Sequence, residues 1–461
     1  MSSLESGGAM TPHGARVRRM FGTDGVRAKA GQYPLDPDTV RRLGAALVRA
    51  LPRSSASARL LVGRDTRESG DWIEAELAHG ATGEGAVVTS AGIVPTPAVA
   101  YLTRAAGYDA GIVISASHNP FEDNGIKVFS GSGEKFTERL ERHVEEIVAD
   151  PSWQVRSGCA IEVGSANLVH SYLDHLRAIL PDATRVAGMR VAIDCANGAT
   201  TSVAPTLLRS LGFDVLVMGA EPDGRNINLH CGSTHPHALA SAVVESGAAL
   251  GVAFDGDGDR AIFIDHRGQI VDGDAVMFLC ARQLKQEGRL KGDVVVATVM
   301  SNIGLELALR ALDIELVRTA VGDKYVMEEM QLRGASLGGE QSGHVIFSDY
   351  LFTGDGLCTA VNVLRTMGIT RSSLAGLAAD LVTYPQVLLN VRVRERVDLQ
   401  TVPDVAAVIA RVHAHVASHG RLLVRYSGTE PLLRVMLEGR DEEEIRALAQ
   451  EIVDVVKARL G

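Results

Sequence analysis

Apolar residues along the chain gather in short runs that stop at small polar turns, and each run is followed by a stretch with helical spacing. Residues 59–62 form such a run. The turn Gly63-Arg64-Asp65-Thr66-Arg67 follows, then a helical segment with Trp72, Ile73, Ala75 and Leu77, then a second strand at 85–89. The pattern recurs with a strand at 190–194, the turn Ala196-Asn197-Gly198, a helix at 203–211 and a strand at 214–218. It recurs once more with a strand at 293–298, the turn Met300-Ser301-Asn302, a helix at 303–312 and a strand at 315–319. Strand, helix and strand in alternation predict α/β units with largely parallel sheets. Three copies predict three similar α/β domains in series.

Beyond residue 384 the pattern changes. Residues 387–393, 422–425 and 433–437 read as strands and 403–416 as a helix. The segment 441–460 is an amphipathic helix with Ile445, Leu448, Ile452, Val453, Val456 and Leu460 on one face. Its acids Glu442 to Glu444 fall in the first turn, and Lys457 and Arg459 in the last, as the helix dipole favours. This is a small α+β domain, joined at Tyr384-Pro385. The predicted division is a disordered leader at 1–18, α/β domains at 19–165, 166–270 and 271–384, and the α+β domain at 385–461.

Length agrees with this count, since 461 residues suit about three or four domains. A net charge of −10 argues against a nucleic-acid binder, which needs a basic face. No apolar run reaches membrane-spanning length, and residues 1–19 lack the apolar stretch of a secretory signal. Cys159, Cys195, Cys231, Cys280 and Cys358 are scattered and form no C-x-x-C pair. A disulfide framework or zinc site is not expected, and a reducing cytoplasm fits.

Five stretches carry candidate chemistry. The apolar run 111–114 ends in Ser115-Ala116-Ser117-His118-Asn119-Pro120 and turns at Asn124-Gly125 before Lys127. It reads as a buried strand ending in an exposed loop with Ser117 at its tip, a nucleophile with a histidine beside it. In Asp255-Gly256-Asp257-Gly258-Asp259-Arg260, three carboxylates at alternate positions converge only if the glycines let the backbone curl tightly. Such like charges call for a hard cation, magnesium or calcium. An EF-hand is excluded because Arg260 stands at the required glycine, His266 at the required glutamate, and strands flank the loop. Arg260 suggests that an anion shares the metal.

Gly338-Gly339-Glu340-Gln341-Ser342-Gly343-His344 can hydrogen-bond a polyol, although alone it reads equally as a structural turn. Arg425-Tyr426-Ser427-Gly428-Thr429-Glu430-Pro431, with Arg434, suits a phosphate group, the alternative being a solvated loop with ion pairs. Phe21-Gly22-Thr23-Asp24-Gly25-Val26-Arg27 says little alone. Together, a serine nucleophile, a cation site, a polyol loop and a phosphate grip are what phosphoryl transfer on a sugar phosphate needs.

From residue 20 to its end the chain resembles the α-D-phosphohexomutases, with the serine, metal, sugar and phosphate loops in family order. Residues 21–27 and Gln341 resemble the branch acting on glucosamine phosphates more than the mannose and glucose branch. Ala28 and Tyr426 depart from the family pattern. The resemblance implies three α/β domains with mixed sheets plus a C-terminal domain like the TATA-binding protein, forming a cleft. It implies that Ser117, rather than its neighbour Ser115, is a phosphoserine binding Mg²⁺ with Asp255, Asp257 and Asp259. It implies that His118 and Arg260 contact the phosphoserine. It implies that Arg27, Lys127 and His344 assist proton transfer or stabilise charge. It further implies that Glu340 and Ser342 bind sugar hydroxyls, and Arg425, Ser427, Gly428, Thr429 and Arg434 the distal phosphate. The implied activity is an isomerase interconverting glucosamine 6-phosphate and 1-phosphate through glucosamine 1,6-bisphosphate, which also serves as activator. It would feed UDP-N-acetylglucosamine and cell-wall precursor synthesis in the cytoplasm, with a hexosamine phosphate as partner, no nucleic acid or membrane, and a monomer or homodimer as assembly. The alternatives are a phosphomannomutase or phosphoglucomutase of the same family and a non-catalytic sugar-phosphate sensor.

Overall fold

The computed structural model describes residues 19–461 apart from residues 23, 53–56, 157, 159–161, 165, 418–419 and 428–431. The predicted leader and Cys159 therefore lie outside the described residues. The chain forms two compact units, one of residues up to 299 with 317–378, the other of 300–316 with 379–461.

The first unit contains a seven-stranded sheet in the order Phe21–Gly22, Gly25–Lys29, Asp123–Ser130, Ala110–Ile114, Arg59–Arg64, Val87–Ile93 and Glu162–Val163. Arg59–Arg64 runs parallel to both neighbours. Asp123–Ser130 turns back antiparallel to Ala110–Ile114 and carries the two N-terminal strands with it. Every residue of Ala110–Ile114 is buried, as expected of a strand covered on both faces. The helix Pro37–Ala50 begins where the Asp36 side chain accepts the Thr39 amide at 3.0 Å and proline sets the first turn. Val40, Leu43 and Leu47 recur at helical spacing and enter the core with Leu60, Val62 and Ile112.

A five-stranded sheet follows in the order Ile270–Val271, Ala261–Asp265, Leu250–Phe254, Arg190–Asp194 and Asp214–Met218. A four-stranded sheet has the order Glu315–Thr319, Val294–Thr298, Leu337–Gly339 and Val345–Phe347. The sheets are mixed, and the antiparallel strands follow one rule. In each sheet a strand parallel to its neighbour feeds a hairpin: Ile114 pairs with Ile126, Phe254 with Ala261, and Gly339 with Val345. The residues between those pairs, 115–125, 255–260 and 340–344, are the serine, metal and sugar loops. The threefold pattern in the sequence thus extends beyond strand, helix and strand. Each repeat sends its functional loop from the carboxyl end of an inner strand, where α/β folds place their sites.

The second unit holds a three-stranded antiparallel sheet in the order Gln386–Arg392, Leu432–Glu438 and Arg421–Tyr426, with helices Pro403–Val416 and Glu442–Leu460. Asp441 caps the last helix by accepting the Glu443 and Glu444 amides at 2.9 and 3.1 Å. Ile445, Ala449, Ile452 and Val456 pack on Val387, Leu433 and Leu437. The helix Ile303–Arg310 belongs to this unit. Its first amide donates to the buried Glu438 at 3.2 Å, and Arg421 pairs with the same carboxylate at 2.8 Å.

Cys195, Cys231, Cys280 and Cys358 are free thiols. Among the described residues, no helix is long and apolar enough to cross a membrane.

Candidate active site

The serine loop is pinned from beneath. Asp65 and Arg67, two residues apart in the turn after Arg59–Arg64, form an ion pair at 2.9 Å with both side chains fully buried. Arg67 then donates to the carbonyls of Ser117 and Asn119, both at 2.9 Å, of Asp123 at 3.0 Å, and of Pro120. Asp65 accepts from the Ser115 hydroxyl at 2.5 Å, and the Ser115 oxygen accepts the Ser117 amide at 2.9 Å. This lattice holds Ser117 at φ +53°, a left-handed conformation that costs a non-glycine residue about 1 kcal/mol.

The sequence reading of an exposed serine is corrected here. Ser117 is 2% exposed, because Arg67 and the Asn228 amide (2.9 Å) bind its carbonyl while the metal loop covers its hydroxyl. Ser115, the rival nucleophile, is fully buried and committed to Asp65.

The metal loop meets the serine loop directly. The Ser117 hydroxyl donates to Asp255 Oδ2 at 2.5 Å and lies 3.2 Å from His118 Nδ1. Gly258 adopts φ +71°, and Gly256 passes so close to the Ser117 carbonyl that a side chain would collide with it. Those two glycines let Asp255, Asp257 and Asp259 bring carboxylate oxygens within 4.8 Å of one another, all three buried. Asp257 Oδ1 and Asp259 Oδ1 are buried and accept no hydrogen bond of ordinary geometry. A cluster of hard oxygen atoms with orphaned acceptors fits a divalent cation.

Cations surround this cluster. Lys127 Nζ is 2.8 Å from Asp257, 3.3 Å from Asp259 and 3.0 Å from Asp24. Thr96 donates its hydroxyl to Asp257 at 2.6 Å. His344 Nδ1 lies 3.5 Å and Arg260 Nε 3.8 Å from Asp259. Arg27 pairs with Asp24 at 2.5 Å. Glu340 accepts the Gly322 amide at 3.2 Å and the Ser342 hydroxyl at 3.4 Å. Gln341 is turned away, onto Asp272 at 3.0 Å. A cavity of about 370 Å³ is lined by Arg27, His118, Arg260, Glu340 and His344.

The charges sort by environment. Burial, then repulsion from Asp259 and Asp257, pushes Asp255 well above the usual carboxylate range. Burial also acts to raise Asp259, but Lys127, His344 and Arg260 hold it well below. Burial would lower Lys127, yet Asp24, Asp257 and Asp259 outweigh it and keep the ammonium charged. His344 is likewise raised against its burial, by Asp259 and Asp323. His118 moves the other way, lowered by burial and by Arg260 and Arg27, and stays neutral near pH 7.

The structure therefore brings together Ser117, His118, Lys127, Arg27, Arg260, His344, Glu340, Ser342 and the three aspartates. In the second unit, Arg425 and Arg434 face each other across adjacent strands, and Ser427 is buried with its amide bound to the Leu432 carbonyl at 2.8 Å. Gly428 and Thr429 fall outside the described residues. Sequence reasoning missed Asp65, Arg67, Thr96, Asn228, Lys135 and Asp323. Only the Asp-x-Arg turn was a visible signal, and it read as a turn.

Comparison with known proteins gives this arrangement its context. Residues 18–154, 170–268 and 272–384 match the phosphoglucomutase/phosphomannomutase α/β/α domains I, II and III, and 388–455 the C-terminal domain of the same family. The chain belongs to the phosphoglucomutase/phosphomannomutase family. The phosphoglucosamine mutase of Solibacter usitatus is 50% identical to it over 446 residues, covering 96% of this chain and 100% of that one. That of Syntrophotalea carbinolica is 46% identical over 449 residues, covering 96% and 98%. Among solved structures, a phosphoglucomutase/phosphomannomutase family protein from Burkholderia thailandensis superposes with TM-score 0.78 at 24% identity, over 95% of this chain and 97% of that one. The Aspergillus fumigatus N-acetylphosphoglucosamine mutase superposes at 0.63 with 18% identity, over 95% of each. Both likenesses concern the fold.

Proposed function

We propose that the chain is an isomerase that interconverts glucosamine 6-phosphate and glucosamine 1-phosphate through a phosphorylated Ser117 and glucosamine 1,6-bisphosphate. The observation that carries this reading is the 2.5 Å contact between the Ser117 hydroxyl and Asp255, one of three clustered carboxylates. The whole-length likeness to phosphoglucosamine mutases supports the choice of sugar. Supply of cell-wall amino sugars in the cytoplasm suits that chemistry.

Asp255, Asp257 and Asp259 would hold Mg²⁺ together with an oxygen of the Ser117 phosphate. A bound Mg²⁺ offsets negative charge on the transferring group. In the first half-reaction the Ser117 Oγ–P bond breaks and a bond forms from phosphorus to the free sugar hydroxyl, O1 or O6. Net, the proton of the sugar hydroxyl moves to the departing Ser117 Oγ, whose hydroxyl is restored, and His118 Nδ1 lies 3.2 Å from that leaving oxygen. Lys127 and Arg260 stabilise charge on the phosphoryl oxygens as preorganised cations. His344 and Arg27 extend that positive lining, and Glu340 and Ser342 accept from sugar hydroxyls. The bisphosphate then turns over and returns its other phosphoryl group to Ser117. The pair Arg425 and Arg434, with Ser427, Gly428 and Thr429, grips the idle phosphate in either pose. The domain divisions proposed for this chain fall near 165, 270 and 384.

A substrate panel tests the reading. Glucosamine, mannose and glucose 6-phosphates are supplied with the matching bisphosphate and Mg²⁺, and 1-phosphate formation is followed by a coupled assay. Turnover of the glucosamine compound at least tenfold above the others is expected. Equal or greater turnover of mannose or glucose phosphate would move the assignment to the other branch, and no turnover of any would favour a sensor.

A further inference from the structure

Six charged side chains close a ring of alternating sign beside the metal loop. Lys127 meets Asp24 at 3.0 Å, Asp24 meets Lys135 at 2.6 Å, and Lys135 binds Asp323. Asp323 lies 3.7 Å from His344 Nε2, His344 Nδ1 lies 3.5 Å from Asp259, and Asp259 returns to Lys127 at 3.3 Å. The members come from all three sheets' surroundings. Asp24, Lys127 and Lys135 belong to the first, Asp259 to the second hairpin, and Asp323 and His344 to the third. Half of the ring is already assigned, since Lys127, His344 and Asp259 face the reacting groups. The arc Asp24–Lys135–Asp323 is not.

We propose that Lys135 is a positioning residue for phosphoryl transfer, acting through Asp24 and Asp323 to hold Lys127 and His344 at the metal loop. The inference rests on the function proposed above. Lys135 itself is too deep to serve as a surface charge, its side chain being 13% exposed and Asp323's 11%. Its ammonium is the shared counter-charge of Asp24 and Asp323. Burial alone would lower it, and those two carboxylates instead raise it well above an ordinary lysine. With Lys135 in place, each of Lys127 and His344 is drawn from two sides, by the metal loop and by the arc. Without it, Asp24 and Asp323 repel each other and move apart, and they draw their partners Lys127 and His344 off the metal loop. A displacement of ~1 Å at such groups lowers turnover by about 100-fold.

The test uses the full chain with glucosamine 1-phosphate, the bisphosphate and Mg²⁺. Lys135→Met is expected to lower kcat about 100-fold with KM within threefold of wild type, and Lys135→Arg to recover most of it. Lys135→Met/Asp323→Asn should be no slower than the slower single variant, because both break one arc. Three results overturn the proposal: Lys135→Met with kcat within threefold of wild type; a loss that Lys135→Arg does not recover; or a double variant whose losses multiply. A wild-type chain with no turnover overturns the function and this inference together. An active wild type with an equally active Lys135→Met overturns the inference alone.

Discussion

Replacing Arg67 by methionine removes one guanidinium from five groups. These are the fully buried Asp65 carboxylate and the carbonyls of Ser117, Asn119, Pro120 and Asp123. Breaking one side of a buried pair costs about 3–5 kcal/mol, because the remaining charge stays uncompensated. The lost charged hydrogen bonds are not independent additions, so the expected loss is about 4 kcal/mol. The assay is built into the sequence. The chain has two tryptophans, Trp72 and Trp153, and both pack against the core that carries the serine loop. Trp153 also lies beneath Arg42 and Arg49, each 3.9 Å from its ring centre. Urea unfolding followed by tryptophan fluorescence thus reports this region alone. At a slope of about 2 kcal/mol per molar, the midpoint falls by ~2 M. Asp65→Asn/Arg67→Met should recover at least a third of the loss, since the stranded charge is gone. A loss below ~1 kcal/mol, or a double variant no more stable than Arg67→Met, would refute the view that this pair sets the loop.

Other outcomes follow from the same geometry. Asp255→Asn relieves like-charge repulsion, so the metal-free protein should gain about 1 kcal/mol while losing the Mg²⁺-dependent stabilisation of wild type, ~2.7 kcal/mol at a hundredfold excess over Kd. Melting with and without Mg²⁺ after chelation reads both. Arg421→Ala removes the ion pair of Arg421 with the buried Glu438 and should cost the second unit about 3 kcal/mol, read by hydrogen exchange across 386–438. Burial pushes Glu141 up to about 7 although Lys324 lies 4.0 Å away. The folded state then keeps a proton the unfolded chain has lost between pH 4.5 and 7, so stability falls as pH rises through that window. Glu141→Gln should flatten this slope and gain about 1 kcal/mol at pH 8 after discounting for solvent. An unchanged slope in the tryptophan-monitored unfolding would refute it.

The repeats and their loops were legible because they depend on local order. A run such as Leu250-Gly251-Val252-Ala253-Phe254, too short for a helix and bounded by turn residues, reads as a buried strand, and glycines between alternating aspartates allow the loop to curl. The final helix was legible for the same reason, although its buried face includes Ala449, which an apolar pattern underweights. Strand edges were less so. The second strand spans Val87–Ile93 rather than 85–89, because Gly85 takes φ +87° and belongs to the turn. What the sequence hid is non-local. Arg67 reaches across 50 residues to Ser117, and Lys135 across 188 to Asp323. Arg67 showed only as part of a turn, and Lys135 sits in no recognisable motif. The burial of Ser117 depends on Arg67, Asn228 and the metal loop, so a loop that reads as exposed is in fact enclosed.

The central claim is that Ser117 carries the phosphoryl group between the two positions of the sugar. Isotopically labelled glucosamine 1,6-bisphosphate is mixed with the protein, and the label is located by peptide mass spectrometry before and after adding glucosamine 6-phosphate. The label should appear on Ser117, and it should then leave for sugar phosphate within one turnover. Label on Ser115, or label on Ser117 that does not chase, would contradict the account.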